Sequence, residues 1–183
     1  MVLMLSQIKT QTRQSSSQSA TKMLTDCHNR IRHFSGVAVQ LAHAQGVAEA
    51  EIVQAADGLL RYFTIALPLH EADENISIHP RLRKAVPAGE LAGPAADAMV
   101  DQHLAIDELV ERLIPLWTIL RAEPAKQQEL ASEMCAISSR LQEIFTAHLQ
   151  MEEETIFPAM DKYLSEAELA TIINEMQERR KTG

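Results

Sequence analysis

The stretch His148-Leu-Gln-Met-Glu152-Glu-Glu-Thr-Ile156-Phe157-Pro158 decides how the rest of this chain is read. It sets a histidine and a glutamate four residues apart and closes on a proline. On an α-helix, residues i and i+4 share one face, one turn apart, so an imidazole nitrogen and a carboxylate spaced this way can grip the same cation. One such pair arises easily by chance and most often marks a solvated helix face. Here the layout occurs twice. His70-Glu-Ala-Asp-Glu74-Asn-Ile-Ser-Ile78-His79-Pro80-Arg-Leu82 repeats the glutamate at +4, the isoleucine at +8, the proline at +10 and an apolar residue at +12.

Working outward, the chain reads as all-α. It has 183 residues, enough for one domain with a sizeable core, and it is rich in Ala, Leu and Met with few aromatics. Residues 1–20 are Gln- and Ser-rich and read as a mobile N-terminal arm; residues 21–183 read as the folded part. A first helix, capped by Thr21 or Thr25, runs to about Ala44, carries Leu24, His28, Ile31, Val39 and Ala42 on its stripe, and is broken by Gly46. A second runs from about Ala48 to Ser77, with Leu59, Leu60, Phe63, Leu67 and His70 on one face and a bend at Pro68. Pro80, Pro87, Gly89, Gly93 and Pro94 mark a long connection. A third helix spans about Ala95 to Arg121, where Pro115 kinks or ends it, and a fourth spans about Ala125 to Phe157. Ser165 followed by Glu168 has the spacing of a capping box for a tail helix, Glu166 to Arg179, lying across the bundle or extending it. Long amphipathic helices on mostly short loops predict an up-down-up-down four-helix bundle with an additional C-terminal helix.

The spacing also predicts where the motifs meet. His28 precedes His70 by 42 residues, and His103 precedes His148 by 45. Each half is therefore a helical hairpin bearing a histidine and then an HxxxE pair. At about 1.5 Å per residue, the depths of the paired histidines agree to within about 10 Å, which places all four near one end of the bundle. Inward imidazoles and carboxylates must be paired or neutralised, and two divalent cations would satisfy both. Four imidazoles, His28, His70, His103 and His148, with two bridging carboxylates, Glu74 and Glu152, form a mixed N/O donor set that suits iron and leaves manganese and zinc open.

Other polar residues take blander readings. A lone inward histidine is usually a satisfied core residue, so it is the duplicated set that carries the argument. Glu71, Glu153 and Glu154 read as solvated or as support behind ligands, His33 and His43 as facing water, and His79 as packing in the slot that Phe157 fills in the other half. Cys27 adjoins His28 but points about 100° away on a helix. Trp117 and the methionines read as core.

The layout resembles the hemerythrin-like (HHE cation-binding) family, whose members carry a His, HxxxE, His, HxxxE signature. The resemblance covers about residues 22–162 and rests on Asp26-Cys-His28-Asn-Arg-Ile31, His70-Glu-Ala-Asp-Glu74, Asp101-Gln-His103 and His148-Leu-Gln-Met-Glu152. It implies an up-down four-helix bundle around a non-haem di-iron centre, Fe2+/Fe3+, bridged by an oxo or hydroxo group and two carboxylates. On this chain the ligands it implies are His28, His70, His103 and His148, with Glu74 and Glu152 as bridges. Oxygen-carrying members have a further histidine one turn after the third-helix ligand, where this chain has Asp107. With four histidines the irons would be more alike, and at least one would keep an open or water-filled position. Asp107 is expected to accept from an imidazole N–H.

The functional expectation is a di-iron protein that binds or senses a small diatomic ligand, oxygen or nitric oxide. The alternative is iron handling: storage, donation or iron–sulfur centre repair. A peroxide-removing enzyme ranks lower, because the sequence offers no clear proton donor beyond a bridging water, and a metal-free bundle is the remaining class. No catalytic residue is assigned. The formal charge of −8 argues against general nucleic-acid binding. No apolar run reaches the roughly 20 residues of a membrane span, and no signal peptide is read at the start. Two cysteines, Cys27 and Cys135, make no disulfide framework, so a cytoplasmic protein is expected. A homodimer through the basic end of the tail helix, Arg179-Arg180-Lys181, is left open.

Overall fold

The computed structural model describes residues 19–182, and they are helical with no strand among them. The helices are α1 (Ala20–Ala42), α2 (Glu49–Arg61), α3 (Leu67–Ala72), α4 (His79–Ala85), α5 (Ala92–Ala122), α6 (Gln127–Met151), α7 (Phe157–Tyr163) and α8 (Glu166–Thr182). Three π-helical turns, Tyr62–Ala66, Asp73–Ile78 and Glu152–Ile156, join α2 to α3, α3 to α4 and α6 to α7 without a break. The second long helix thus runs from Glu49 to Ala85 and the fourth from Gln127 to Tyr163, both beyond their expected ends.

Each π-turn has a proline just after it, and the two features share a cause. In a regular helix a proline ring strikes the carbonyl four residues back and supplies no N–H. One extra residue in the preceding turn opens the ladder at that point. The residue ahead of each proline accordingly bonds five back: Leu67 to Tyr62 O, His79 to Glu74 O and Phe157 to Glu152 O. Pro68, Pro80 and Pro158 are therefore carried within helices rather than ending them. Pro115 likewise stays inside α5 instead of ending it.

The ends are set by local chemistry. Ser19, not Thr21 or Thr25, caps α1, accepting from the Lys22 amide at 3.1 Å; the rest of the expected arm lies outside the described residues. Gly46, at φ +66°, turns the chain between α1 and α2. The capping box of α8 is present: Ser165 N donates to Glu168 Oε2 at 2.8 Å, and Glu168 N donates back to Ser165 Oγ at 3.3 Å.

Packing closes a ring, α1 on α2, α2 on α5, α5 on α6 and α6 on α1. Its larger apolar cluster includes Ile31, Leu59, Phe63, Trp117, Leu141 and Phe145. Phe63 stacks on Trp117 with ring centroids 5.2 Å apart, and Phe34 stacks on Tyr62 at 4.1 Å. A smaller cluster gathers Leu24, Ile78, Leu82, Met99, Ile156, Met160, Ile172 and Met176, and α8 contributes to it. Because the second and fourth helices run on past their prolines, the four histidines lie between these clusters and not at an end of the bundle.

Candidate metal centre

All six residues singled out in the sequence come together. His28 projects from α1, His70 from α3, His103 from α5 and His148 from α6, while Glu74 and Glu152 lie in the second and third π-turns. They form two groups whose donor atoms lie within 4.8 Å of one another: His28, His70, Glu74 and Glu152, and Glu74, His103, His148 and Glu152. The two glutamates belong to both. Glu152 sets Oε2 at 3.0 Å from His28 Nε2 and Oε1 at 3.1 Å from His148 Nε2. Glu74 sets Oε1 at 3.3 Å from His70 Nε2 and Oε2 at 3.2 Å from His103 Nε2. Each carboxylate therefore spans the pair of groups, one oxygen to each. The i, i+4 spacing accounts for the contacts within His70–Glu74 and His148–Glu152, and each glutamate that reaches both groups lies in a π-turn.

These short N···O separations are not hydrogen bonds. His28 Nε2, His70 Nε2, His103 Nε2 and both oxygens of Glu74 and Glu152 are buried without a hydrogen-bond partner. Seven buried polar atoms facing one another unpaired would carry a heavy desolvation cost. Donor atoms aimed at a shared centre are what a cation requires, so the residues present fit a pair of metal ions. The electrostatics agree. Burial drives the Glu74 carboxyl well above its usual range, with the Glu152 charge adding to it. Burial also pulls His70 well below its usual value, lowers His103, and brings His148 down to about 4. Those three imidazoles are neutral at pH 7 and free to donate a lone pair. For His28, burial acts downward but is outweighed by Glu152, Glu74 and Glu153, and the net shift is upward.

The other ring nitrogens are held from behind. His28 Nδ1 donates to Glu153 Oε1 at 2.8 Å, His103 Nδ1 to Asn75 Oδ1 at 2.9 Å, and His148 Nδ1 to Gln102 Oε1 at 2.8 Å. Such contacts fix the tautomer that leaves Nε2 free for a metal. His70 Nδ1 has no partner. Phe157 stacks on the His28 ring with centroids 5.0 Å apart.

Asp107 is not an imidazole acceptor. The Nδ1 atoms of His28, His103 and His148 have other partners, and Asp107 lies against Glu71, whose carboxyl is raised to about 7 by burial and by Asp107. Glu71 is buried, with Oε1 unpartnered, rather than solvated. It supplies what the sequence did not seem to offer, a carboxyl close to His103 that gains and loses its proton near neutral pH. Glu154 is exposed and pairs with Gln150, His33 and His43 are exposed, and half-buried His79 pairs with Asp97 at 3.0 Å. Asn75 and Gln102 went unflagged, although their offsets were visible: Asn75 and Glu153 each follow their motif histidine by five, and Gln102 immediately precedes His103.

A helical bundle with a buried double cluster of histidines and shared glutamates defines the class of cation-binding helical domains. Comparison with known families agrees: the hemerythrin HHE cation binding domain matches residues 19–158, and the chain belongs to that family. None of the curated protein sequences compared with the chain matches it significantly. No helix of the described residues is long and apolar enough to cross a membrane.

Proposed function

We propose that this chain is an up-down-up-down four-helix bundle with a C-terminal helix, holding a non-haem pair of iron ions that binds or senses a small diatomic ligand, oxygen or nitric oxide. His28 and His70 hold one ion, His103 and His148 the other, and Glu74 and Glu152 bridge them. The observation that carries this reading is the sharing of both glutamates between two four-donor clusters. When bound, the iron pair supplies reversible ligand binding linked to a change of oxidation state.

The residues of the chain do the rest. The six donor residues are at most 2% exposed. Phe157 stacks on the His28 ring, and this burial keeps bulk water and larger molecules out. Glu153, Asn75 and Gln102 hold three imidazoles in the ligating tautomer. Iron storage, donation or repair would use the same six donors. It would require the ion to leave a pocket with no exposed donor, so the burial favours the diatomic-ligand reading.

Metal analysis of protein made in iron-replete cells should find roughly two iron ions per chain. Anaerobically reduced protein should then change its absorption spectrum on exposure to oxygen or nitric oxide. A spectrum that both gases leave unchanged would sink the proposal.

A further inference from the structure

Behind the metal-facing donors the repeat is broken. Laying the second motif on the first pairs His28 with His103, His70 with His148, and Asn75 with Glu153. The contacts follow this pairing. Asn75 of the first motif holds His103 Nδ1, and Glu153 of the second holds His28 Nδ1. One imidazole therefore leans on a neutral amide and its counterpart on a carboxylate. Glu153 is fixed in that role by Arg32, whose Nη2 donates to both its oxygens at 2.8 Å. The positive charge of Arg32 stands on a side chain 46% exposed and is screened by water, whereas the His28 ring is fully buried.

A carboxylate hydrogen-bonded to the far nitrogen of an imidazole raises its strength as a ligand, and such contacts are among the levers that set a metal's potential. Resting on the di-iron reading above, we propose that Glu153 makes the two metal positions unequal, so that the ion held by His28 and His70 is oxidised first. The ion held by His103 and His148, whose imidazoles lean on Asn75 and Gln102, is oxidised second. Glu153 acts through His28 and is a positioning residue.

The test is an anaerobic titration of the ferrous protein with ferricyanide. Each ferrous ion gives up one electron, each ferricyanide becomes ferrocyanide, and no bond of the protein is made or broken. Two separate one-electron steps are expected. Glu153→Gln should shift the first equilibrium by about tenfold, ~59 mV for one electron, toward the second step and leave the second in place. Asn75→Asp, which puts a carboxylate behind His103, should make the second step easier and leave the first in place. Mössbauer spectra of half-oxidised protein should show a ferric signal altered by Glu153→Gln. Coincident steps in the unmutated protein would overturn the proposal and leave the di-iron reading standing. So would a Glu153→Gln effect on the second step alone or on both equally. A chain that takes up no iron overturns both.

Discussion

The two halves of this molecule agree on the side that faces the metal site and part company on the side that faces away. In both, the motif buries its histidine, its glutamate, the isoleucine at +8 and the apolar residue at +12. At +3 the first half has Asp73, 0% exposed, and the second has half-buried Met151. At +11 the first has Arg81 and the second Ala159. Asp73 binds Arg179 at 2.7 Å and Arg180 at 2.6 Å, Arg179 also donates to Ser77 Oγ, and Arg81 meets Glu175 at 2.8 Å. Met151 and Ala159 pack into the small apolar cluster instead. The tail helix therefore docks on the first motif through charge as well as through the buried apolar side chains of Ile172 and Met176. The repeat keeps the inward chemistry in both halves and differs on the outward face.

The largest effect should come from breaking what the halves share. Glu74→Ala and Glu152→Ala each remove a carboxylate common to both clusters, so either change should strip both ions from protein passed through gel filtration. His148→Ala touches one cluster, and elemental analysis should show at least partial retention of metal at the His28–His70 position. Full retention in Glu152→Ala would mean that the carboxylates do not bridge.

Next comes the face that the halves do not share. Replacing Arg179 and Arg180 by Ala leaves Asp73 charged, buried and unpaired. Removing the partners of a buried charge costs about 3–5 kcal/mol, which is on the order of 10 °C in Tm for a domain of this size. Adding Asp73→Asn to the double variant removes the stranded charge and should recover most of the loss in a thermal melt. Equal destabilisation with and without Asp73→Asn would show that the arginines act through packing alone.

Much of this was legible because it is periodic. The i, i+4 pairs, the doubling of the motif and the apolar stripes are enough to place His28, His70, Glu74, His103, His148 and Glu152 in one pocket. What escaped obeys other rules. Prolines usually end helices, so Pro80 and Pro158 hid the continuation of the second and fourth helices, which rests on one wide turn ahead of each. The partnership of Glu153 with His28 joins residues on different helices, and neither spacing rule refers to it. Glu71 read as either solvated or supporting a ligand, because its neighbour Asp107 lies on another helix, and only packing shows that both sit beside His103. The docking of Arg179 and Arg180 on Asp73 was equally invisible: a basic helix end is more often solvated.

A smaller contrast lies in the residue just before the first histidine of each half. Gln102 holds His148, whereas Cys27, at the matching place, takes contacts from Arg30 at 3.1 Å and Arg180 at 3.8 Å. Gln102→Ala should weaken metal binding about 10–100-fold in a chelator competition, the usual cost of losing such a support. Cys27→Ala should leave the affinity nearly unchanged, because no imidazole leans on the thiol. Equal losses would mean that the two places do the same job and that the repeat is less broken than the contacts indicate.

The smallest effect concerns pH and again belongs to one half. The Glu175 carboxyl is held below its usual range, first by the hydrogen bonds from Arg81. A carboxylate depressed in the folded state adds stability above its unfolded value near 4.5, and that stability is lost as the pH falls through the lower folded value. Both side chains are partly solvated, so the pair is worth about 0.2–1 kcal/mol, as for other exposed pairs. Arg81→Gln should therefore destabilise the protein by about that amount at pH 7 in urea melts. The difference from the unmutated chain should shrink steadily below pH 4.5. Ala159, which stands in the place of Arg81 in the second half, has no charge to titrate, so acid should loosen the attachment of α8 to the first motif and leave the packing around Ala159 untouched. A difference that persisted undiminished in acid would show that Arg81 acts through its bond to the Ser77 carbonyl within its own helix, at 2.6 Å, and not by holding α8 through Glu175.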